Sequence, residues 1–310
     1  MEKNIIIDGH SHCGLDIFHG KTEIDEYIHF AKKSGINIGL IMGVPSPCRD
    51  LKDINSRYMY WTFNGKNINY HGEANPFLGL NYNLYDLLKA KSTSTLKLVF
   101  IPTFHPIMDT SYKLEELIER TDPVALKIHG IGSGIGPNDI SNEFIKIIKK
   151  YNLPLILHTD YDAGQTKDLS MVYVRNSNDS KKWAEFLIKN EIYGTLNHGA
   201  SLNLETFELT NKTEFIKIAL GPDRVACLDK NRLHIDCLKD YRNYLQYLKK
   251  YLETDKIIYD ADYNWNSLSG DDFESVIRVK EIFTTEESQK QIFSENILKH
   301  YPRLIKKIKE

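Results

Sequence analysis

The stretch Ile5-Ile6-Ile7-Asp8-Gly9-His10-Ser11-His12, close to the start of the 310-residue sequence, decides the fold prediction. Three β-branched apolar residues in a row are typical of a strand that is buried on both faces of a parallel sheet. The run then changes abruptly to polar residues. We therefore predict a buried first strand whose carboxyl end carries side chains that are available for chemistry.

Two histidines separated by one residue stand at this polar end. Side chains at positions i and i+2 of a strand point to the same face and lie about 6–7 Å apart, so His10 and His12 are expected to face one point. Gly9 leaves room between the backbone and a ligand. Two such imidazoles suit a divalent metal such as zinc. The alternative is a pair of hydrogen-bonded surface histidines, and later strands must decide between the two.

Buried strands alternate with helices along the rest of the chain. After the first strand we predict strands at residues 37–44, 96–103, 124–130, 153–159, 193–197, 224–228 and 257–262. The seventh has an alternative at 215–220, a segment otherwise included in a predicted helix over 204–220. Eight such units favour an α/β fold, a single (β/α)8 TIM barrel over residues 1–310. An open doubly wound sheet is less favoured, because no glycine-rich phosphate-binding pattern follows the first strand.

Two long segments interrupt this alternation, residues 48–80 after the second strand and residues 160–178 after the fifth. Both are rich in aromatic and polar side chains and lack the periodicity of a core helix. Long loops inside a compact domain are usually functional, so we predict that they cover a substrate at the barrel mouth. The alternative is that they pack against a second copy of the chain in a homodimer.

The amino-acid composition argues against some classes of binding partner. A net charge of -2, with 41% hydrophobic and 26% charged residues, is typical of a globular protein and gives no reason to expect nucleic acid or an anionic membrane as a partner. The four cysteines form no CxxC pair, which argues against a disulfide framework or a cysteine zinc site. No apolar run approaches the ~20 residues of a membrane span. We expect a cytoplasmic protein that acts on a small molecule.

Polar residues recur at the carboxyl ends of the predicted strands, where the active sites of barrels lie. One histidine at a strand end is ordinary, but many together cost several kcal/mol to bury unless they are paired or bind a metal. These residues are His10, His12, His105, Lys127, His129, His158, Asp160, His198, Asp260 and Asp262.

The order of these residues resembles that of the amidohydrolase superfamily. More narrowly, it is similar to the amidohydrolase-related branch that contains aminocarboxymuconate-semialdehyde decarboxylase. The segments that carry the resemblance are Ile7-Asp8-Gly9-His10-Ser11-His12, Leu126-Lys127-Ile128-His129, Leu153-Pro154-Leu155-Ile156-Leu157-His158, Asn197-His198-Gly199, Ile257-Ile258-Tyr259-Asp260-Ala261-Asp262-Tyr263 and Phe293-Ser294-Glu295-Asn296-Ile297.

The resemblance implies one divalent metal, zinc or alternatively manganese or iron, and its implied ligands are His10, His12, His158 and Asp262. In many members a carboxylated lysine bridges to a second metal, so Lys127 keeps that option open. Otherwise Lys127 is expected to pair with Asp160 or with a substrate carboxylate. The resemblance also implies that His198 acts as a base or as an orienting group beside the metal.

The function that we expect from the resemblance is metal-dependent hydrolysis of a small carbonyl substrate, an amide, lactone or ester, by an activated water. Asp262 would act as the base, assisted by His198 and Lys127. Further candidates for substrate contacts are His105, His129, Tyr161 and Arg175. The alternatives are nonoxidative decarboxylation with the same ligands and a non-catalytic binding protein on a barrel scaffold.

One motif departs from the pattern of the branch. The eighth strand of that branch usually ends Gly-Ser-Asp-Tyr-Pro, whereas this chain has Asp260-Ala261-Asp262-Tyr263-Asn264. Asp260 is expected on the same face as Asp262, one layer deeper in the barrel. A carboxylate at that depth needs a buried partner.

Overall fold

The computed structural model describes residues 5–16, 20–43, 46–47, 59–63, 66–69, 77–130, 135–159, 179–221, 241–263 and 274–309. Three residues singled out from the sequence, Asp160, Tyr161 and Arg175, lie outside these ranges, as does the predicted strand at 224–228. Eight parallel strands form the centre of the fold: β1 Ile7–His12, β2 Ile38–Met42, β3 Lys97–Ile101, β4 Leu126–Ile128, β5 Leu155–Leu157, β6 Gly194–Leu196, β7 Ile216–Ala219 and β8 Ile257–Ile258.

The eight strands pair in chain order. Strands β1, β2 and β3 form one parallel sheet, and β4 to β8 form another. Backbone hydrogen bonds cross both seams: the amide of Lys127 donates to the carbonyl of Pro102 at 2.8 Å, and the amide of Asp262 donates to the carbonyl of His10 at 2.9 Å. These bonds join the two sheets at both edges, as the predicted TIM barrel requires.

Several of the helices that follow the strands begin at polar caps. Thr110, Ser141, Asp179 and Asn203 each accept a hydrogen bond from a first-turn amide. None of the described helices is long and apolar enough to cross a membrane. The helices are α1 Ile24–Ser34, α2 Leu78–Lys91, α3 Ser111–Thr121, α4 Asn142–Lys150, α5 Ser180–Asn190, α6 Leu204–Asn211, α7 Tyr241–Tyr251, α8 Ser275–Ile282, α9 Glu286–Lys290, α10 Asn296–His300 and α11 Pro302–Lys309.

Two hydrophobic clusters hold these elements together. The larger packs the outward faces of the strands against the helices. The smaller consists of inward-facing strand residues such as Ile7, Leu40 and Ile156, and Tyr301 and Leu304 from the C-terminal helices pack into it. Polar side chains on the inward faces lie beyond this apolar layer, towards the carboxyl ends of the strands. The apolar layer therefore forms a floor beneath the candidate site.

The prediction of helix over residues 204–220 was wrong at its C-terminal end. Helix α6 ends at Asn211, and residues 216–219 form β7, the alternative position for the seventh strand. Helical periodicity continues past residue 211 in the sequence, but β7 must fill the gap between β6 and β8 and pairs with both. Tertiary pairing thus overrides local preference here.

The segment after β2 was predicted to be irregular, and part of it forms strands instead. Met59–Phe63 pairs antiparallel with Lys66–Asn69 and with Ser46–Pro47. The hairpin Gly14–Asp16 with Gly20–Thr22, which directly follows β1, joins the same sheet through Leu15 and Thr62. A small antiparallel sheet is therefore inserted after the carboxyl ends of β1 and β2.

Candidate metal centre

Strand β1 brings two histidines to the inside of the barrel. His10 and His12 lie at its carboxyl end, two residues apart, and both are buried. At Gly9, a Cβ atom would lie 3.1 Å from both the Ile258 side chain and the Tyr259 carbonyl. A larger residue would therefore separate β1 from β8, so the glycine permits the close approach that closes the barrel.

His10, His12 and Asp262 converge at the carboxyl end of β1. One possible ligand atom from each lies within 4.8 Å of the other two. Oδ1 of Asp262 lies 3.3 Å from Nδ1 of His10 and 3.6 Å from Nε2 of His12. The rings of the two histidines are in contact edge to face, with centroids 4.4 Å apart. This trio has the composition of a divalent metal site.

Three more histidines border the trio. Nε2 of His198 lies 3.0 Å from Nδ1 of His158, and Nδ1 of His198 lies 3.6 Å from Oδ2 of Asp262. The ring of His129 stacks on that of His158, with centroids 4.1 Å apart. The structure thus places His158 beside His198 and His129, and His198 connects this group with Asp262.

Lys127 lies between these groups, on the inward face of β4. Its side chain is completely buried, and Nζ lies 2.8 Å from Nε2 of His10. Burial lowers the pKa of Lys127 to about 7, although the carboxylates of Asp262 and Asp260 oppose the shift. The predicted partner Asp160 lies outside the described residues, so the observed neighbour of Lys127 is a histidine of the trio.

His198 is presented by an unusual backbone segment. Residues 198–202 all have positive φ, between 49° and 57°, which forms a short left-handed turn immediately after β6. Left-handed conformation costs about 1–2 kcal/mol for each residue other than glycine. Oγ1 of Thr159 donates to the carbonyl of Asn197 at 2.6 Å, and Oγ of Ser201 donates to the carbonyl of Thr159. These bonds hold the strained turn against the end of β5.

The chemistry of these groups fits a divalent cation. Burial, followed by the charge of Lys127, lowers the pKa of both His10 and His12 well below the usual range, so both imidazoles are neutral at pH 7 and keep a lone pair. Burial and the charge of Asp262 raise the pKa of Asp260 well above its usual range. Two carboxylates buried this closely need positive charge nearby, and a divalent cation would supply it.

Unsatisfied atoms support the same assignment. Nδ1 of His10, Nδ1 of His12 and Oδ2 of Asp260 are buried and make no hydrogen bond to any part of the chain that the structure describes. Such atoms are rare in folded proteins unless an ion or a water satisfies them. The donor set of neutral imidazoles and carboxylates is the one that zinc, manganese and iron accept.

Other predicted residues have different surroundings. Nδ1 of His105 accepts hydrogen bonds from the amides of Ile107 and Met108, both at 3.3 Å, and its ring lies 6.3 Å from that of Phe77. His105 is therefore held by its own loop. Its role in substrate binding, like those of Tyr161 and Arg175, stays a prediction.

Sequence analysis did not assign a role to Asp8. Oδ2 of Asp8 accepts hydrogen bonds from Ser11 Oγ at 2.6 Å and from Tyr27 Oη at 2.9 Å. The signal was available, because Asp8 lies within the predicted buried strand and a buried carboxylate needs partners. Tyr27 gave no such signal, since a tyrosine on the apolar face of α1 looks like any core residue.

Comparison with known proteins supports the fold and leaves the substrate open. No protein-family model and no curated protein sequence matches the chain. Among solved structures, one assigned as a 2-pyrone-4,6-dicarboxylic acid hydrolase from Pseudomonas putida superposes with a TM-score of 0.60 at 9% identity, covering 97% of this chain and 98% of that one. An amidohydrolase from Burkholderia multivorans with bound zinc gives 0.60 at 9% identity, covering 96% and 99%.

These matches confirm the fold that the sequence resemblance implied. The chain has a TIM-barrel fold similar to that of these two structures over nearly its whole length. At 9% identity the likeness extends to the fold alone. The fold alone does not identify the reaction, which depends on the chemistry of the site.

Proposed function

We propose that this protein is a metal-dependent hydrolase that acts on a small carbonyl substrate, an amide, a lactone or an ester. The observation that carries the proposal is the convergence of His10, His12 and Asp262 within 4.8 Å of one another, buried at the carboxyl ends of barrel strands. His10, His12 and Asp262 would hold a divalent metal, most simply zinc. His158, next to this trio, is the proposed fourth ligand.

When bound, the metal supplies Lewis acidity, polarising a carbonyl and lowering the pKa of water to about 7. Asp262 is the proposed base, because its Oδ1 faces His10 and His12 while its Oδ2 faces His198 at 3.6 Å. In the proposed reaction Asp262 accepts a proton from the attacking water and returns it to the leaving group. His198 orients Oδ2 of Asp262 and can donate to the developing oxyanion.

Lys127 and His129 are the proposed substrate-facing groups. Both are buried at the end of β4, and the lysine can balance the charge of a carboxylate on the substrate. Two related observations are compatible with this assignment: one structural neighbour contains zinc, and another is described as acting on a pyrone dicarboxylic acid. Both facts belong to those proteins. The scattered cysteines are consistent with the cytoplasmic location that we propose.

Metal analysis tests the proposal directly. The wild-type protein, dialysed against metal-free buffer, is expected to retain stoichiometric metal, whereas His12→Ala should lose most of it. His29→Ala is the matched control, because His29 is exposed on α1, away from the site. A wild-type protein that retains no metal would favour the non-catalytic scaffold.

An activity panel then separates the reactions. Lactones, amides, esters and aromatic carboxylates are incubated with the metal-loaded protein, and hydrolysis products and released carbon dioxide are both measured. His198→Ala is expected to retain the metal but lose most turnover. Release of carbon dioxide without hydrolysis would replace the hydrolase proposal with the decarboxylase alternative.

A further inference from the structure

The seam between β3 and β4 is closed only near the carboxyl ends of the two strands. There the amide of Lys127 donates to the carbonyl of Pro102, and an isolated bridge pairs Lys127 with Thr103. Below this bridge, the described residues 97–101 and 122–126 form no ladder with each other. The barrel wall is therefore open between the amino-terminal halves of β3 and β4.

Two prolines account for this opening. In the register set by the bridge, the next hydrogen bonds would include one from the amide of Pro102 to the carbonyl of Ala125. Another would run from the amide of Pro123 to the carbonyl of Leu98. Proline has no N–H group, so neither bond can form. The sequence itself therefore keeps the two strands apart below Thr103.

The open edge of β3 presents backbone groups to the gap. The amide of Lys97 donates towards β2, to the carbonyl of Asn37 at 2.9 Å. The next amide, that of Leu98, points the other way and donates to Oγ of Ser92 at 3.1 Å. Backbone groups of successive residues alternate between the two edges of a strand, so those of Phe100 face the gap like those of Leu98. Phe100 therefore offers an N–H donor to a ligand in the gap.

A cavity of about 570 Å³ lies at this edge, between α2, the start of β3 and the end of α3. Its volume falls within the range of roughly 300–1,000 Å³ that is usual for small-molecule sites. The ring of Tyr85 contacts that of Phe100 edge to face, with centroids 5.7 Å apart, and forms one apolar wall. Leu88 and Leu98 extend this wall, and residues 92–94 add hydroxyl groups. The cavity therefore suits a ligand with an apolar body.

The charged side chains around the cavity are three lysines and one carboxylate: Lys89, Lys97, Lys307 and Asp122. The carboxylate of Asp122 is already matched, because Arg303 binds it and Nζ of Lys307 lies 2.9 Å from its Oδ2. Lys89 and Lys97 form no ion pair with any residue in the described part of the chain. Positive charge is therefore in excess, and it favours an anionic ligand.

We propose that this cavity binds a small carboxylate with an apolar body. Lys89 and Lys97 supply positive charge for the carboxylate, and the N–H group of Phe100 supplies a hydrogen-bond donor. Tyr85 and Leu88 pack against the apolar body. None of the residues proposed to hold the metal lines the cavity. The inference is therefore independent of the proposed hydrolase function, and it can be tested on the metal-free protein.

Methyl NMR of the leucine-labelled protein tests the binding. Sodium octanoate is the probe, and octanamide, which has the same chain but no charge, is its matched control. The signals of Leu88 and Leu98 are assigned by their loss in Leu88→Ile and Leu98→Ile. We expect octanoate to shift both signals saturably, and octanamide to bind about 10–100-fold more weakly because it lacks the charged acceptor.

A double variant tests the contribution of the lysines. Lys89→Gln combined with Lys97→Gln is expected to weaken octanoate binding about 10–100-fold and to leave octanamide binding unchanged. The control combines Lys189→Gln with Lys212→Gln, because both of these lysines are exposed and neither lines the cavity. It removes the same charge from the protein, so it separates a local contact from an effect of net charge.

Three outcomes would overturn the proposal. Octanoate that shifts neither leucine signal, or that shifts only leucines elsewhere, excludes the cavity as its site, and this titration of the wild type needs no variant to fold. Equal affinity for octanoate and octanamide excludes recognition of the carboxylate. Equal loss of affinity in the two double variants reduces the effect of the lysines to net charge. None of these results depends on the metal, so the proposed function is tested separately.

Discussion

Asp8 and Ala261 join the two ends of the barrel: Oδ1 of Asp8 accepts a hydrogen bond of 2.8 Å from the amide of Ala261. On the other side of Asp262, the amide of Tyr263 donates to Oγ of Ser11 at 3.0 Å. The two residues that flank Asp262 are therefore bound to the strand that carries His10 and His12. The closure of the barrel and the geometry of the metal trio depend on the same few bonds.

The hydroxyl of Tyr27 supports this closure and gives a first prediction. Tyr27→Phe removes the hydrogen bond of 2.9 Å to Asp8 and leaves a buried carboxylate oxygen with one partner fewer. We expect the free energy of unfolding to fall by about 1–2 kcal/mol. Urea denaturation of the metal-free protein measures it. Tyr112→Phe, at a position that is 67% exposed, should change nothing, and equal stability of the two variants would contradict the role of Tyr27.

The number of metals gives a second prediction. We expect one metal per chain and an unmodified Lys127, because a carbamate would add negative charge beside Asp260 and Asp262, the two buried carboxylates. Elemental analysis after dialysis gives the metal count, and carbon-13-labelled bicarbonate makes any carbamate visible by NMR. Two metals per chain together with a carbamate signal would establish the binuclear form instead.

The sequence predicted the fold well because the barrel strands carry a simple pattern. Runs such as Leu155–Leu157 are buried on both faces, and the polar residue after each run marks the carboxyl end. The convergence of His10, His12 and Asp262 followed from that rule with no knowledge of distances. Among the barrel strands, only the seventh was misplaced. It contains Lys217, which looks polar in the sequence, although its side chain is buried and donates to the carbonyl of Asp255 at 2.6 Å.

The sequence did not predict the interactions that hold the site in place. The neighbour of Asp260 turned out to be His10, a contact at the seam between β8 and β1 that joins residues 250 positions apart in the chain. The left-handed turn at 198–202 was also missed, because four of its five residues are not glycine. Backbone conformations that depend on tertiary bonds leave no local pattern, so both features needed three-dimensional information.

The contact between Gly199 and Tyr244 gives a third prediction. A Cβ atom at Gly199 would lie 2.5 Å from Oη of Tyr244. Gly199→Ala is therefore expected to destabilise the protein by more than the backbone term of about 1–2 kcal/mol. Gly35→Ala reports that backbone term alone, because Gly35 also has positive φ, at 73°, but a Cβ there meets nothing within 4 Å.

A double-mutant cycle tests the contact. In a Tyr244→Phe background the hydroxyl is gone, so Gly199→Ala should cost less stability than it does in the wild type. Unfolding by urea of the four proteins gives the coupling. If the two changes are additive, Tyr244 does not restrain the turn that carries His198.

His300 provides a last prediction, on the dependence of stability on pH. Its side chain is buried, and Nε2 donates to the carbonyl of Gly194 at 3.0 Å. Burial, followed by the charge of Lys217, lowers the pKa of His300 from 6.5 to about 3. The folded protein therefore keeps this ring neutral over a pH range in which the unfolded chain binds a proton.

The sign of the effect follows from that difference. Below about pH 6.5 the unfolded state is favoured by protonation of His300, so stability is lost as pH falls towards 3, by at most about 1.4 kcal/mol per pH unit. His300→Gln should lower stability at neutral pH but flatten the dependence over that range. Urea unfolding at a series of pH values measures the difference between variant and wild type, in which contributions from other groups cancel. Parallel profiles for His300→Gln and the wild type would show that His300 titrates normally in the folded protein.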